Sequence, residues 1–218
     1  MLLSYKNNPE LKIAFVREIE KHRKADALER GHYGKENGKW KGCAVACSLR
    51  SLAILNKEKL VVEYKDHKKL AVEILGGEQN EWLARLEDTI FEGLSVKESK
   101  QWPTQFSKAT PVGKNLEPIK WKFCTFILKE NIDRVLTLEI SDGLKKQVVD
   151  AIRGVFEIHE KAIQTGKWDE SVAESARSAA WSAAESAAES ARSAAWSAAR
   201  SAAYPRYAKE LLRLLKTS

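Results

Sequence analysis

Residues 80–94 read NEWLARLEDTIFEGL, and their periodicity indicates the secondary-structure class of the whole chain. Trp82, Leu86 and Ile90 recur at four-residue intervals, which places them on one side of an α-helix. Asn80 precedes this pattern and is a residue type that commonly caps a helix N-terminus. The stretch therefore predicts a helix whose apolar side faces a protein core.

Helical signals recur through most of the sequence. We expect helices, or segments containing a helix, over residues 9–30, 43–55, 67–77, 96–113, 116–132 and 141–166. Residues 59–66 favour a strand, and residues 31–40 are predicted as a loop because they are rich in Gly and Asn. The expected fold class is all-α, or mostly α with a minor strand near 59–66.

An Ala- and Ser-rich repeat lies near the C-terminus. The eleven residues ESARSAAWSAA occupy positions 174–184 and return at 189–199. Because Ala has the highest helix propensity, the repeat predicts one long helix over residues 169–204. Its alanine side favours close packing on the body of the protein or on a second copy of the chain. We interpret the repeat as a scaffold rather than as a binding site.

The predicted organisation is a helical core domain over residues 1–168 with the repeat helix, 169–204, packed on it. Residues 205–218 form a short amphipathic helix at the end. Pro205 is expected to break or kink the chain between these two helices, because proline lacks a backbone N–H and its ring clashes with the preceding turn.

Composition narrows the class of protein. The chain has 218 residues, of which 44% are hydrophobic, so it can bury a core. No run approaches the roughly 18 apolar residues of a membrane span, and the first residues lack the pattern of a signal peptide. Three cysteines do not suggest a disulfide framework. We therefore expect a cytoplasmic protein that does not enter a membrane.

The positive charge is concentrated in the N-terminal third. The formal net charge is +7, and residues 1–72 alone contain 16 Lys and Arg against 9 Asp and Glu. A basic region of this kind attracts nucleic acid, a small anionic ligand or an acidic protein partner. It is equally typical of a merely solvated basic surface.

Residues 31–47, GHYGKENGKWKGCAVAC, hold the main group of candidate ligand-binding residues. Backbone N–H groups, lysines and a helix N-terminus together favour anions, although no Walker motif is present. The alternatives are an exposed basic loop followed by small buried residues. The candidates in this region are His32, Tyr33, Lys39, Trp40, Lys41, Gly42 and Cys43.

Cys43 also raises an enzymatic alternative. If Cys43 begins a helix, the helix N-terminus and neighbouring lysines would favour its thiolate, and His32 would serve as its base. Cys43 and Cys47 share a helix face, but their spacing matches no common zinc module. The sequence therefore predicts neither a metal site nor a cofactor.

Three carboxylates in the 80–94 helix complete the candidate site. Asp88 and Glu92 lie one helical turn apart, and Glu87 precedes them. They would either face the 31–47 region in a cleft or lie on a solvated helix face.

Three motifs, GCAVAC at 42–47, LEDTIFEGL at 86–94 and WPTQF followed by PVG at 102–113, resemble a family of uncharacterised bacterial and phage-associated proteins with an Ala-rich C-terminal helix. The resemblance covers roughly residues 40–113 and, more loosely, 170–218. The family pattern has Gly at the position of Ala46. The resemblance implies that the three stretches meet around one site, and it carries no activity. The matching residues are Gly42, Cys43, Ala44, Val45, Cys47, Leu86, Glu87, Asp88, Phe91, Glu92, Gly93, Trp102, Pro103, Phe106, Pro111 and Gly113.

The function expected from these patterns is that of a non-enzymatic binding protein. It would engage an anionic ligand, nucleotide-like or nucleic acid, or an acidic protein partner through residues 31–47. One alternative is a cysteine-dependent enzyme using Cys43 with His32. A second is a structural protein that self-associates, as a homodimer, through its Ala-rich helix.

Overall fold

A computed structural model describes residues 3–25, 27–31, 33–36, 39–58, 66–168 and 195–218. The fold class is all-α, as predicted. None of the helices in these ranges has the length and apolar character needed to cross a bilayer. The helices are α1 (Pro9–Lys24), α2 (Ala44–Asn56), α3 (His67–Ile74), α4 (Glu81–Gly93), α5 (Val96–Ser99), α6 (Trp102–Ala109), α7 (Glu117–Leu136), α8 (Asp142–Thr165) and α9 (Ala195–Lys216).

A β-hairpin replaces the loop expected over residues 31–40. Strands β1 (Tyr33–Glu36) and β2 (Lys39–Gly42) pair antiparallel, with Tyr33 opposite Gly42 and Glu36 opposite Lys39. The Gly content of this region predicts a loop. The sequence between the two strands, however, is Asn-Gly, which is the pattern most typical of a two-residue hairpin connection. The other strand, predicted near 59–66, falls almost wholly on residues outside those described. Asp66 itself caps α3.

Helix α1 ends at Lys24, six residues earlier than predicted. The backbone after it pairs with the hairpin instead of continuing the helix. Gly42 N–H donates to the Ala27 carbonyl at 2.9 Å, and Glu29 N–H donates to the Gly42 carbonyl at 3.0 Å. Residues 27–29 therefore run alongside the end of β2, and these tertiary hydrogen bonds override the local helix preference.

The chain divides into two compact units, one comprising Met1–Glu117 and Ser201–Ser218, the other Pro118–Arg200. In the first unit, α1 packs on α2 and α6, and α4 packs on α2 and α3. Its largest buried side chains include Phe15, Phe91 and Trp102. In the second unit, the apolar residues of α7 and α8 are buried at Ile119, Trp121, Phe123, Val148, Val149 and Ala162.

The C-terminal helix does not end at Pro205. Helix α9 runs without interruption from Ala195 to Lys216, so the predicted break at this proline is wrong, whereas the alternative of a kink stays a prediction. Buried residues lie on both sides of it, Ala203 before it and Leu211 and Leu215 after it. Packing of that continuous apolar side outweighs the local cost of a proline, which is itself exposed. The preceding part of the repeat, through residue 194, lies outside the described residues.

Candidate functional site

Three potential metal ligands from two distant segments lie together in the first unit. The Cys43 sulfur, an Asp88 carboxylate oxygen and a Glu92 carboxylate oxygen all lie within 4.8 Å of one another. Cys43 is fully buried, Asp88 is 7% exposed and Glu92 is half-buried. The structure thus joins one residue of the 31–47 region to two of the three candidate carboxylates. We refer to Cys43, Asp88 and Glu92 as the thiol–carboxylate cluster.

Cys43 reaches the cluster because it stands between β2 and α2. It is the N-cap of α2, with φ −66° and ψ −179°, which confirms that a helix begins directly after it. The preceding Gly42 allows the chain to turn in little space. A Cβ added at Gly42 would lie 2.7 Å from the Trp40 ring and 2.8 Å from the Ala46 Cβ. A larger residue at position 42 would therefore shift Cys43.

Asp88 and Glu92 reach the cluster from one face of α4. They are one turn apart, and Glu87, next to Asp88, is only 1% exposed. Buried acidic side chains on the apolar side of a helix are uncommon, because burial penalises their charged form. Of the two alternatives for these carboxylates, the solvated helix face is therefore wrong for Glu87 and Asp88.

The segment after α1 holds Glu92 in position. Gly31 N–H donates to both Glu92 carboxylate oxygens, at 3.0 and 3.1 Å. The Arg30 guanidinium donates to the Leu94 carbonyl at 2.8 Å and, at 3.5 Å, to that of Glu92. These hydrogen bonds restrict the Glu92 carboxylate to one position at the edge of the cluster.

His67 lies behind Asp88. Its Nε2 atom is 3.4 Å from Asp88 Oδ2, and both side chains are buried. A histidine hydrogen-bonded to a carboxylate orients it and restricts its rotation. Nothing in the sequence spacing of His67 links it to Asp88. Its contact with the cluster is visible only in the tertiary structure.

Cys47 is not a member of the thiol–carboxylate cluster. Its thiol lies 3.6 Å from the Gly42 carbonyl and 4.0 Å from that of Ala27. Burial raises the pKa of the Cys47 thiol well above its usual range, and the nearby Cys43 and Glu87 raise it further. Cys47 therefore remains a protonated donor to backbone carbonyls.

The remaining candidates of the 31–47 region are distributed around the hairpin. The Trp40 ring contacts the His22 ring, 5.5 Å away between centroids, and the Arg50 guanidinium, which lies 4.8 Å from the Trp40 ring centroid. Lys41 forms an ion pair with Glu29 at 2.7 Å. Tyr33 and Lys39 belong to the paired strands, whereas His32 lies outside the described residues. The proposed pairing of His32 with Cys43 therefore stays a prediction.

The three motif stretches also meet in space. The Trp102 indole donates from Nε1 to the Glu87 carbonyl at 3.0 Å, which ties the third motif to the second, and Cys43 ties the first to Asp88. No family model, curated protein or solved structure matches this chain, so the family resemblance stays a prediction and the site is interpreted from its own geometry.

Proposed function

We propose that this protein binds a divalent transition-metal ion of the zinc class through Cys43, Asp88 and Glu92. The observation that carries the proposal is the spacing of the thiol–carboxylate cluster, whose donor atoms all lie within 4.8 Å of one another. Ligand atoms around a tetrahedral zinc ion lie about 3.3–3.8 Å apart, so a contraction of about 1 Å would complete the coordination.

Electrostatics also favours a cation at this position. Two carboxylates and a thiol in close contact repel one another when ionised, and burial raises the cost of each charge. Protons or a bound cation relieve that repulsion. A metal ion satisfies all three groups at once and converts the thiol to a thiolate.

The ligand set indicates what the metal would do. Three protein ligands leave a fourth position of a zinc ion open for water or another small molecule, whereas structural zinc sites are closed by four protein ligands. His67 supports the set from behind Asp88, as outer residues commonly do in metal sites. Like the function expected from the sequence, the proposed function is that of a binding protein. It differs in the ligand, because the sequence predicts no metal site.

Cobalt titration of the metal-stripped full-length chain tests the proposal. We expect one equivalent of Co²⁺ to bind with a thiolate-to-metal charge-transfer band, and Zn²⁺ to displace it. Cys43→Ser should abolish the band, and Asp88→Asn should weaken affinity by at least about tenfold. Cys47→Ser and Cys124→Ser are matched controls that should keep the band.

Two results would overturn the proposal. One is the absence of stoichiometric Co²⁺ or Zn²⁺ binding to the folded wild-type chain. The other is a charge-transfer band that persists in Cys43→Ser and disappears in a control variant. Circular dichroism of each variant separates loss of the site from loss of the fold.

A further inference from the structure

A cavity of about 340 Å³ is lined in part by Arg30, whose guanidinium donates to the Glu92 carbonyl. It lies between residues 28–30, β2 and the α5 region. Three cationic side chains line it, Arg30, Lys41 and Lys100, against one carboxylate, that of Glu29. The formal charge of the lining is therefore +2. We propose that this cavity binds the phosphate group of a small phosphate monoester.

Arg30 is the residue that argues most directly for an oxyanion. Its guanidinium is held in place by the carbonyls of Glu92 and Leu94. Across the described ranges, no carboxylate lies within ion-pair distance of it. An arginine fixed by backbone carbonyls keeps further N–H donors in a planar fork, which matches two phosphate oxygens.

Two further cationic side chains supply the remaining positive charge of the cavity wall. Lys41 lines the cavity while paired with Glu29, and Lys100 approaches from beyond α5. Ser99 adds a hydroxyl to the same wall. A phosphate monoester carries about −1.5 to −2 charges at pH 7, which balances the +2 lining.

The shape of the site favours a small molecule over a polymer. Pockets that enclose small ligands begin at about 300 Å³, and this cavity is close to that lower limit. Nucleic-acid surfaces instead follow a backbone along an extended groove. The inference does not rest on the proposed metal site, although both share the segment that carries Arg30 and Gly31.

Calorimetric titration of metal-free protein tests the proposal with inorganic phosphate and glycerol 3-phosphate, each up to about 10 mM. We expect saturable binding with one site, and weaker binding of acetate. Arg30→Gln and Lys100→Gln should each weaken phosphate affinity by about tenfold or more. Arg30→Lys should weaken it less, because charge remains while the fork is lost.

Arg85→Gln is the matched control, since Arg85 is exposed on α4, paired with Glu81 and absent from the cavity wall. It should leave affinity unchanged. The proposal fails if neither phosphate compound binds, or if Arg30→Gln and Arg85→Gln behave alike. It also fails if a single-stranded oligonucleotide binds more tightly than the small phosphates and Arg30→Gln, Lys100→Gln and Arg85→Gln weaken that binding equally.

Metal binding measured on the same Arg30 variants keeps the two proposals separate. A chain that binds phosphate but not Co²⁺ overturns the proposed function alone. A chain that binds Co²⁺ but not phosphate overturns this inference alone.

Discussion

The ring of Tyr204 packs directly on Gly93, the last residue of α4. A Cβ at position 93 would overlap that ring. The contact therefore joins α4, which carries Asp88 and Glu92, to the C-terminal helix α9. In the sequence Gly93 indicates only the end of a helix. In the structure, glycine is required at this position because the Tyr204 ring packs so closely.

Gly93→Ala should destabilise the protein. Alanine gains up to about 1 kcal/mol in helix propensity, but overlap with Tyr204 costs about 1–3 kcal/mol, so a net loss of roughly 1–2 kcal/mol is expected. Urea unfolding measures it. Gly154→Ala is the control, because a Cβ there meets nothing within 4 Å, and this change should be neutral or stabilising. Equal effects at both positions would contradict the packing argument.

Stability should fall as the pH drops from 7 to 5, because His22 titrates differently in the two states. Burial lowers the pKa of His22 to about 4, and nearby Arg50 adds to the effect. At pH 5 His22 is protonated in the unfolded chain, where its pKa is about 6.5, but stays largely neutral in the folded protein. Lowering the pH therefore favours unfolding. The contribution is about 2 kcal/mol between pH 7 and 5.

Urea unfolding at pH 7 and pH 5 measures this loss, and the same measurement on His22→Gln provides the comparison. The variant should be less stable at pH 7, because packing on Trp40 changes, but its stability should depend less on pH. An unchanged pH dependence in His22→Gln would show that other groups are responsible.

Cys47 should alkylate more slowly than Cys124. Burial raises its pKa well above the usual range, and its side chain is fully buried. Cys124 also has a raised pKa from burial, but its side chain is only partly buried. Because the thiolate is the nucleophile, iodoacetamide at pH 8 followed by peptide mass spectrometry should modify Cys124 well before Cys47. The reverse order would contradict the buried position of Cys47.

Tyr5→Phe should cost about 1–2 kcal/mol. The buried Tyr5 hydroxyl donates to the Ser107 carbonyl at 2.8 Å. That carbonyl cannot receive the usual helical N–H four residues later, because position 111 is proline. Thr137→Ala removes an exposed hydroxyl that donates to a carbonyl at 2.8 Å and should cost far less in urea unfolding. Similar losses in both variants would argue against a special role for Tyr5.

His67→Gln should weaken Zn²⁺ affinity by about tenfold while leaving one binding site. The reason is that His67 contacts Asp88 at 3.4 Å and not the cluster as a whole. Chelator competition measures the affinity. A loss as complete as that of Cys43→Ser would make His67 a ligand, and no loss would remove it from the site.

The sequence by itself indicated most of the helices, because the helical spacing of apolar residues is a local property of the chain. The predicted core-facing stripe of α4 is only partly right, since Ile90 is buried whereas Trp82 and Leu86 are partly exposed. The sequence also indicated that Cys43 begins a helix. It indicated candidate residues in two regions, 31–47 and 80–94, without showing how their side chains meet.

Only the tertiary structure decided the rest. Helix α1 ends early because residues 27–29 pair with Gly42. Helix α9 continues past Pro205 because the leucines after it are buried against the protein. The contacts of Cys43 with Asp88 and Glu92, and of His67 with Asp88, join residues far apart in sequence. Local propensities favour each helix separately, whereas such contacts depend on how the helices pack together, which no single segment encodes.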